Sequence, residues 1–134
     1  MTHTILLLDD DERFRKLVAP RLKLKSIEVV EASTGKQAQE LLKSTDVDLL
    51  IIDGVLPDTE GIKWITLYRA AGGTKPVIYI SAFWQSNETY EVLTRDLNVL
   101  QIVHKPVIPA VLQNKLLQSL CARNGARTIA LWRH

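Results

Sequence analysis

The chain has 134 residues, 46% of them hydrophobic and 24% charged, with a formal net charge of +2. That length suits one domain able to bury roughly two-thirds of its unfolded surface without metals or disulfides, and the composition excludes disorder or a fibrous repeat as the dominant state. A single cysteine, Cys121, excludes an internal disulfide, and the charge is too mild and too dispersed for a strong nucleic-acid footprint.

Met1-Thr-His-Thr leads directly into an apolar run of four residues, so no secretory signal is read and a reducing, cytoplasmic setting is expected. That first run, Ile5–Leu8, ends at Asp9-Asp10-Asp11. Phe14, Leu17, Val18 and Leu22 then fall at helical spacing, with Asp11 suited to cap the helix. A second run, Ile27–Val30, precedes Thr34 and Gln37, whose spacing is that of a capping box ahead of Ala38, Leu41 and Leu42. The third run, Leu49–Ile52, ends at Asp53. A helix through Ile62, Ile65, Leu67 and Tyr68 follows, with Asp58 and Glu60 expected as its capping acids and Gly72-Gly73 as its stop. The fourth run, Val77–Ile80, ends at Ser81 and is followed by a weaker helical pattern at Tyr90, Leu93 and Leu97. The fifth, Leu100–Val103, leads to His104, Lys105 and Pro106, and a last helix carries Val111, Leu112, Lys115, Leu116 and Leu120, with Pro109 near its start.

The apolar runs do not alternate with polar residues, as befits strands buried on both faces of a parallel sheet. Their strict alternation with helices predicts an open α/β sandwich with right-handed crossovers. Ligands of such sheets sit outside the carboxyl ends of the strands, where this chain places Asp9, Asp10, Asp53, Ser81 and Lys105. Converging carboxylates repel one another, a hard divalent cation such as Mg²⁺ relieves that cost, and a lysine with a hydroxyl can hold an anionic group built on a carboxylate. The set favours phosphoryl transfer, which depends mainly on positioning and charge neutralisation.

Four segments carry a family resemblance: ILLLDDDERFRKLV, VDLLIIDGVLPDTEGIKWI, VIYISAF and VLQIVHKPV, in order and each at a strand end. Over residues 4–122 the chain resembles the receiver domain of bacterial two-component response regulators of the chemotaxis-regulator type. The resemblance implies a flavodoxin-like, doubly wound five-stranded parallel sheet in the order 2-1-3-4-5. It implies a receiver domain over 1–123, with 124–134 a tail or the start of a linker to an output domain. Asp53 would be the phosphoacceptor, served by the phosphohistidine of a histidine kinase or phosphotransfer protein. Asp10 would bind Mg²⁺ (or Mn²⁺) directly, Asp9 through water or as a second acidic partner, and the carbonyl of Val55 would complete the protein's ligands. Lys105 would pair with Asp53 and then with phosphoryl oxygens. Ser81 and the N–H of Ala82 would bond the phosphoryl group, and Lys105–Pro106 would be cis. Pro57 and Gly61 would shape the loop after Asp53. No enzyme activity beyond the domain's own phosphorylation and dephosphorylation, no direct nucleic-acid contact and no membrane contact is expected; an output domain, a partner protein or a second copy would read the switch.

The chain departs from that family at Ile102, where many members place Tyr or Phe three residues before the lysine. Phe83 and Trp84 are the nearest substitutes. Ser81 and Lys105 are about two residues further apart than the family pattern, which predicts an unusual fourth helix or loop. Val55 and Phe83, each two residues beyond a site residue, are apolar and cannot orient a water, so slow acyl-phosphate hydrolysis is expected. His104 is expected to point away from Lys105, Cys121 to be a small apolar helix residue, Trp64 to be core or rim, and Trp84 to be either a partner contact or packed. Arg123, Arg127 and Arg133 read as a solvated tail.

Two other classes compete. A haloacid-dehalogenase-type phosphatase also needs an acidic pair after its lysine, and this chain has no Asp or Glu between Lys105 and His134. A pseudo-receiver, a phosphorylation-independent interaction module, is favoured only by Ile102.

Overall fold

The computed structural model describes residues 2–124. Five strands, β1 (His3–Leu8), β2 (Ile27–Ala32), β3 (Leu49–Asp53), β4 (Val77–Ser81) and β5 (Gln101–His104), alternate with α1 (Glu12–Lys23), α2 (Gly35–Ser44), α3 (Gly61–Ala70), α4 (Asn87–Glu91) and α5 (Pro109–Asn124). The strands form one parallel sheet in the order β2-β1-β3-β4-β5. The sheet is as expected, with each strand one or two residues longer or shifted. In particular, Asp53 and Ser81 are the last residues of β3 and β4, not the residues after them, and Leu100 lies outside β5 and exposed. The expected tail lies outside the described residues apart from Asn124, which closes α5.

The apolar runs are buried on both faces because alternate residues feed two cores. Leu6, Leu8, Leu50, Ile52 and Tyr79 pack with Ala38 of α2, Trp64 and Ile65 of α3, and Leu93. Ile5, Leu7, Leu49, Ile51, Ile78 and Ile80 pack with Val18 and Leu22 of α1 and Leu112 and Leu116 of α5. At roughly 25 cal/mol per Å² of apolar surface, these two layers are the main favourable term of folding.

The helix ends correct three expectations. Asp11 caps α1 by accepting from the amides of Arg13 and Phe14. Thr34 caps α2 at the amide of Gln37, but the Gln37 side-chain Oε1 accepts from the Ser33 amide, one residue before the cap, so the expected box is displaced. Asp58 does not cap α3. Its carboxylate accepts from the amides of Gly35 and Lys36 at 2.9 and 3.0 Å, tying the loop after Asp53 to the start of α2. Glu60 sits at the α3 N-cap with no side-chain bond to it. At the far end of α3 the stop is as read: Gly72 adopts φ +98° and the amides of Gly72 and Gly73 return to Arg69 and Tyr68, a Schellman closure.

The fourth helix is unusual, as the spacing predicted. Five α-helical residues pass into a π-helical turn, Val92–Asp96, with the Leu97 amide donating to the Val92 carbonyl at 2.9 Å. No helix among the described residues is long and apolar enough to cross a membrane.

Candidate functional site

Register brings the acids together. Leu8 pairs with Ile52, so Asp9 and Asp53 emerge side by side from adjacent strands. Both are buried, Asp9 completely and Asp53 to 2% exposure, while Asp10 is exposed. Carboxylate oxygens of Asp9, Asp10 and Asp53 lie within 4.8 Å of one another. Lys105 arrives from beyond β5, held by its amide on the Ser81 carbonyl at 2.8 Å and preceding a cis peptide bond to Pro106. Its ammonium donates to Asp53 Oδ2 at 3.2 Å and stands 3.7 Å from Asp9 Oδ2. Asp53 Oδ1 accepts from the amide of Val55 at 3.2 Å.

Asp9 is the strained member. Its Oδ1 accepts from the Asp11 amide at 2.9 Å, but its Oδ2 is buried with no hydrogen-bond partner. Burial, and behind it the charge of Asp53, push its carboxyl up to about 7 against the opposing pull of the Asp11 amide and Lys105. Burial draws the Lys105 ammonium down, but the carboxylates of Asp9, Asp53 and Asp10 outweigh it and leave the lysine above its ordinary range. An orphaned buried carboxylate oxygen among three hard oxygen donors fits a divalent cation.

Ser81 reaches the rim as the last residue of β4 and Lys105 as the residue after β5. The Ser81 hydroxyl donates to the carbonyl of Phe83 at 2.5 Å and so is turned toward its own loop. Ala82 is exposed. A cavity of about 250 Å³ next to Asp53 is lined by Gly54, Val55, Tyr79, Ser81, Phe83 and Gln85 among others. Val55 and Phe83 are exposed at its mouth.

Sequence reasoning missed three neighbours. Arg15 donates from Nη1 to the Asp9 carbonyl at 2.5 Å and from Nε to Glu31 at 3.0 Å, bracing the acidic turn. Gln85 stands 3.4 Å from the Ser81 hydroxyl. Tyr79, the register partner of Ile102, is a buried aromatic one strand over from the missing one. Burial, then the charges of Asp53 and Glu60, push its phenol up to about 12. The only sequence sign was an aromatic interrupting an otherwise aliphatic run.

Of the remaining residues, His104 is no bare strand edge: its ring stacks on Trp84 at 4.4 Å and meets Tyr90 edge-on at 6.0 Å. Trp84 is 83% exposed even so. Trp64 is core, donating its indole N–H to the Gly35 carbonyl at 2.9 Å. Cys121 is exposed rather than packed.

A doubly wound sheet whose switch-point rim carries an acidic cluster, a lysine and a hydroxyl defines a class of small signalling domains. Residues 5–117 match the family model described as the response regulator receiver domain, and the chain belongs to that family. It is 33% identical over 109 residues to the transcriptional regulatory protein SrrA of Staphylococcus aureus (strain NCTC 8325 / PS 47), covering 81% of this chain and 44% of that protein. The chain thus spans less than half the length of that relative. A CheY-like response regulator receiver domain from Methanospirillum hungatei JF-1 superposes with a TM-score of 0.82 at 22% identity, over 92% of this chain and 98% of that one. The receiver domain of the Francisella response regulator 1452 gives 0.79 at 23% identity, over 88% and 96%. The flavodoxin-like fold of CheY-like receivers is therefore the fold of this chain.

Proposed function

We propose that this receiver is switched by phosphorylation of Asp53, on a divalent cation held by Asp9, Asp10, Asp53 and the Val55 carbonyl. The orphaned Oδ2 of Asp9 at the centre of the acidic cluster is the observation that carries the reading. A carboxylate oxygen of Asp53 forms a bond to the phosphorus of a phosphohistidine; the P–N bond breaks and its electron pair stays on the imidazole nitrogen. Bound Mg²⁺ or Mn²⁺ supplies charge neutralisation at the developing anion. Lys105, already 3.2 Å from Asp53, follows the charge onto the phosphoryl oxygens. Ser81 rotates to donate to one of them, and the Ala82 amide, on the exposed lip of the cavity, donates to another. The added charge of about −2 biases two conformations that partners read differently.

The donor is a histidine kinase or phosphotransfer protein of the cytoplasm, and the reader is an output domain, a separate protein or a second copy. Intact mass after incubation with Mg²⁺ and a small acyl-phosphate donor tests this, with Asp53→Asn alongside. A single phosphoryl gain in the wild type alone is expected. If neither protein gains mass, from the small donor or from a kinase, the reading fails and the chain is a phosphorylation-independent interaction module.

A further inference from the structure

The serine at the site is not free to serve it. Its one hydroxyl proton is committed to the Phe83 carbonyl at 2.5 Å, and its oxygen accepts from Gln85 Nε2 at 3.4 Å. The same Gln85 amide lies 3.5 Å from the Phe83 carbonyl, so one side chain buttresses both ends of that bond. The Gln85 main-chain N–H donates to the Tyr90 hydroxyl at 3.3 Å, and that hydroxyl stands 3.4 Å from His104 Nε2. Trp84, between the two anchored residues, lays its ring on His104 at 4.4 Å, inclined by 32°. Residues 83–85 are thus clamped by Ser81 at one end and by Tyr90 and His104 at the other. Ile102, an aliphatic residue on the same face of β5 as His104, has no polar atom to offer the hydroxyl.

We infer that Gln85 is a positioning residue that holds Ser81 in its parked orientation, and that turning Ser81 toward Asp53 unlatches residues 83–85 and lifts Trp84 from His104. The inference rests on the phosphoacceptor reading of Asp53. A hydroxyl donates one hydrogen bond at a time, so a bond to a phosphoryl oxygen requires release of the Phe83 carbonyl, and Gln85 loses its acceptor geometry with it. Trp84 sits on the segment released. Because Gln85 stabilises only the parked state, removing it shifts the pre-existing equilibrium toward the phosphoryl-binding state. The gain in affinity for a phosphoryl mimic is then about two- to tenfold, the range of one net hydrogen bond.

The test uses the full chain labelled with 5-fluorotryptophan, titrated with beryllofluoride in the presence of Mg²⁺. Three tryptophans, Trp64, Trp84 and Trp132, give three resonances, and Trp84→Phe assigns one. Wild-type protein is expected to move the Trp84 resonance as beryllofluoride saturates, and Asp53→Asn to leave it still. Gln85→Met keeps the bulk but not the donor: it should displace the Trp84 resonance toward the saturated position before any addition and lower the titration midpoint about two- to tenfold. Bound beryllofluoride has its own fluorine signal. If that signal appears while Trp84 stays fixed, or if Gln85→Met leaves both the resonance and the midpoint unchanged, the latch is wrong and the phosphoacceptor reading stands. If no bound signal appears in the wild type, the reading of Asp53 falls and the inference with it.

Discussion

Asp9→Asn should make the metal-free protein more stable, and only above a definite pH. The carboxyl of Asp9 is pushed from 3.8 to about 7 in the folded chain. Between those two values the folded state binds a proton that the unfolded state has lost, so stability falls as pH rises through that window and levels off above about 7. Each pH unit is worth about 1.4 kcal/mol, and about three units set a ceiling near 4 kcal/mol. The opposed charges of Asp53 and Lys105 also bear on that carboxyl, so the expected gain is about 2–3 kcal/mol. Asparagine keeps the acceptor for the Asp11 amide and offers a donor toward Asp53. Urea unfolding in a chelator, between about pH 4 and about pH 8, should show the wild type losing stability up to about pH 7. The variant should be nearly flat, the curves converging at the acid end. Added Mg²⁺ should raise the wild-type midpoint at the alkaline end and leave the variant unmoved. Parallel curves would show that Asp9 is no more strained than a surface carboxylate.

Gly61→Ala should cost about 1–3 kcal/mol, because a Cβ there would lie 2.4 Å from the Asp53 carbonyl oxygen and 2.8 Å from the Gly54 Cα; both are backbone atoms, so urea unfolding should register the loss and intact-mass labelling of Asp53 should slow. Asp58→Ala frees the amides of Gly35 and Lys36, and hydrogen exchange should accelerate at those two positions while the Gln37 amide, held by Thr34, stays protected. Those same amides hold Asp58 below the usual carboxylate range, so acid should release them in the wild type as pH falls below about 4. Replacing Val55 and Phe83 together with polar residues able to position a water should change the decay of phosphorylated protein, followed by mass over time; an unchanged decay would refute their role.

The strands and rim were legible because each signal was local. A run such as Leu49–Ile52 ending in Asp53 declares a buried strand and its polar terminus within six residues. What the sequence hid were partners brought in by the tertiary fold. Asp58 stands three residues before α3 and looks like its cap, but the acceptor side of its carboxylate is used 23 residues upstream. Gln37 has the capping-box spacing and turns to the neighbouring amide instead. Gln85 and Tyr79 bear on Ser81 and Asp53 only because a loop folds back and a strand pairs. Neither fact has a signature in spacing, whereas the surplus length between Ser81 and Lys105 did foretell an irregular fourth helix.

That irregularity has a geometrical meaning. The turn at Val92–Asp96 takes up one residue of that surplus, and Leu93 and Leu97 both keep their places inside. Every residue advances a helix by about 100°, so one extra residue works as a phase shifter: it sets the azimuth of the turn before it independently of the turn after it. Tyr90, in the turn before it, stands 3.4 Å from His104 Nε2. Deleting one residue from 92–96 would leave the hydrophobic anchor in place and swing Tyr90 through about a quarter of a circle, out of reach of the strand it now touches.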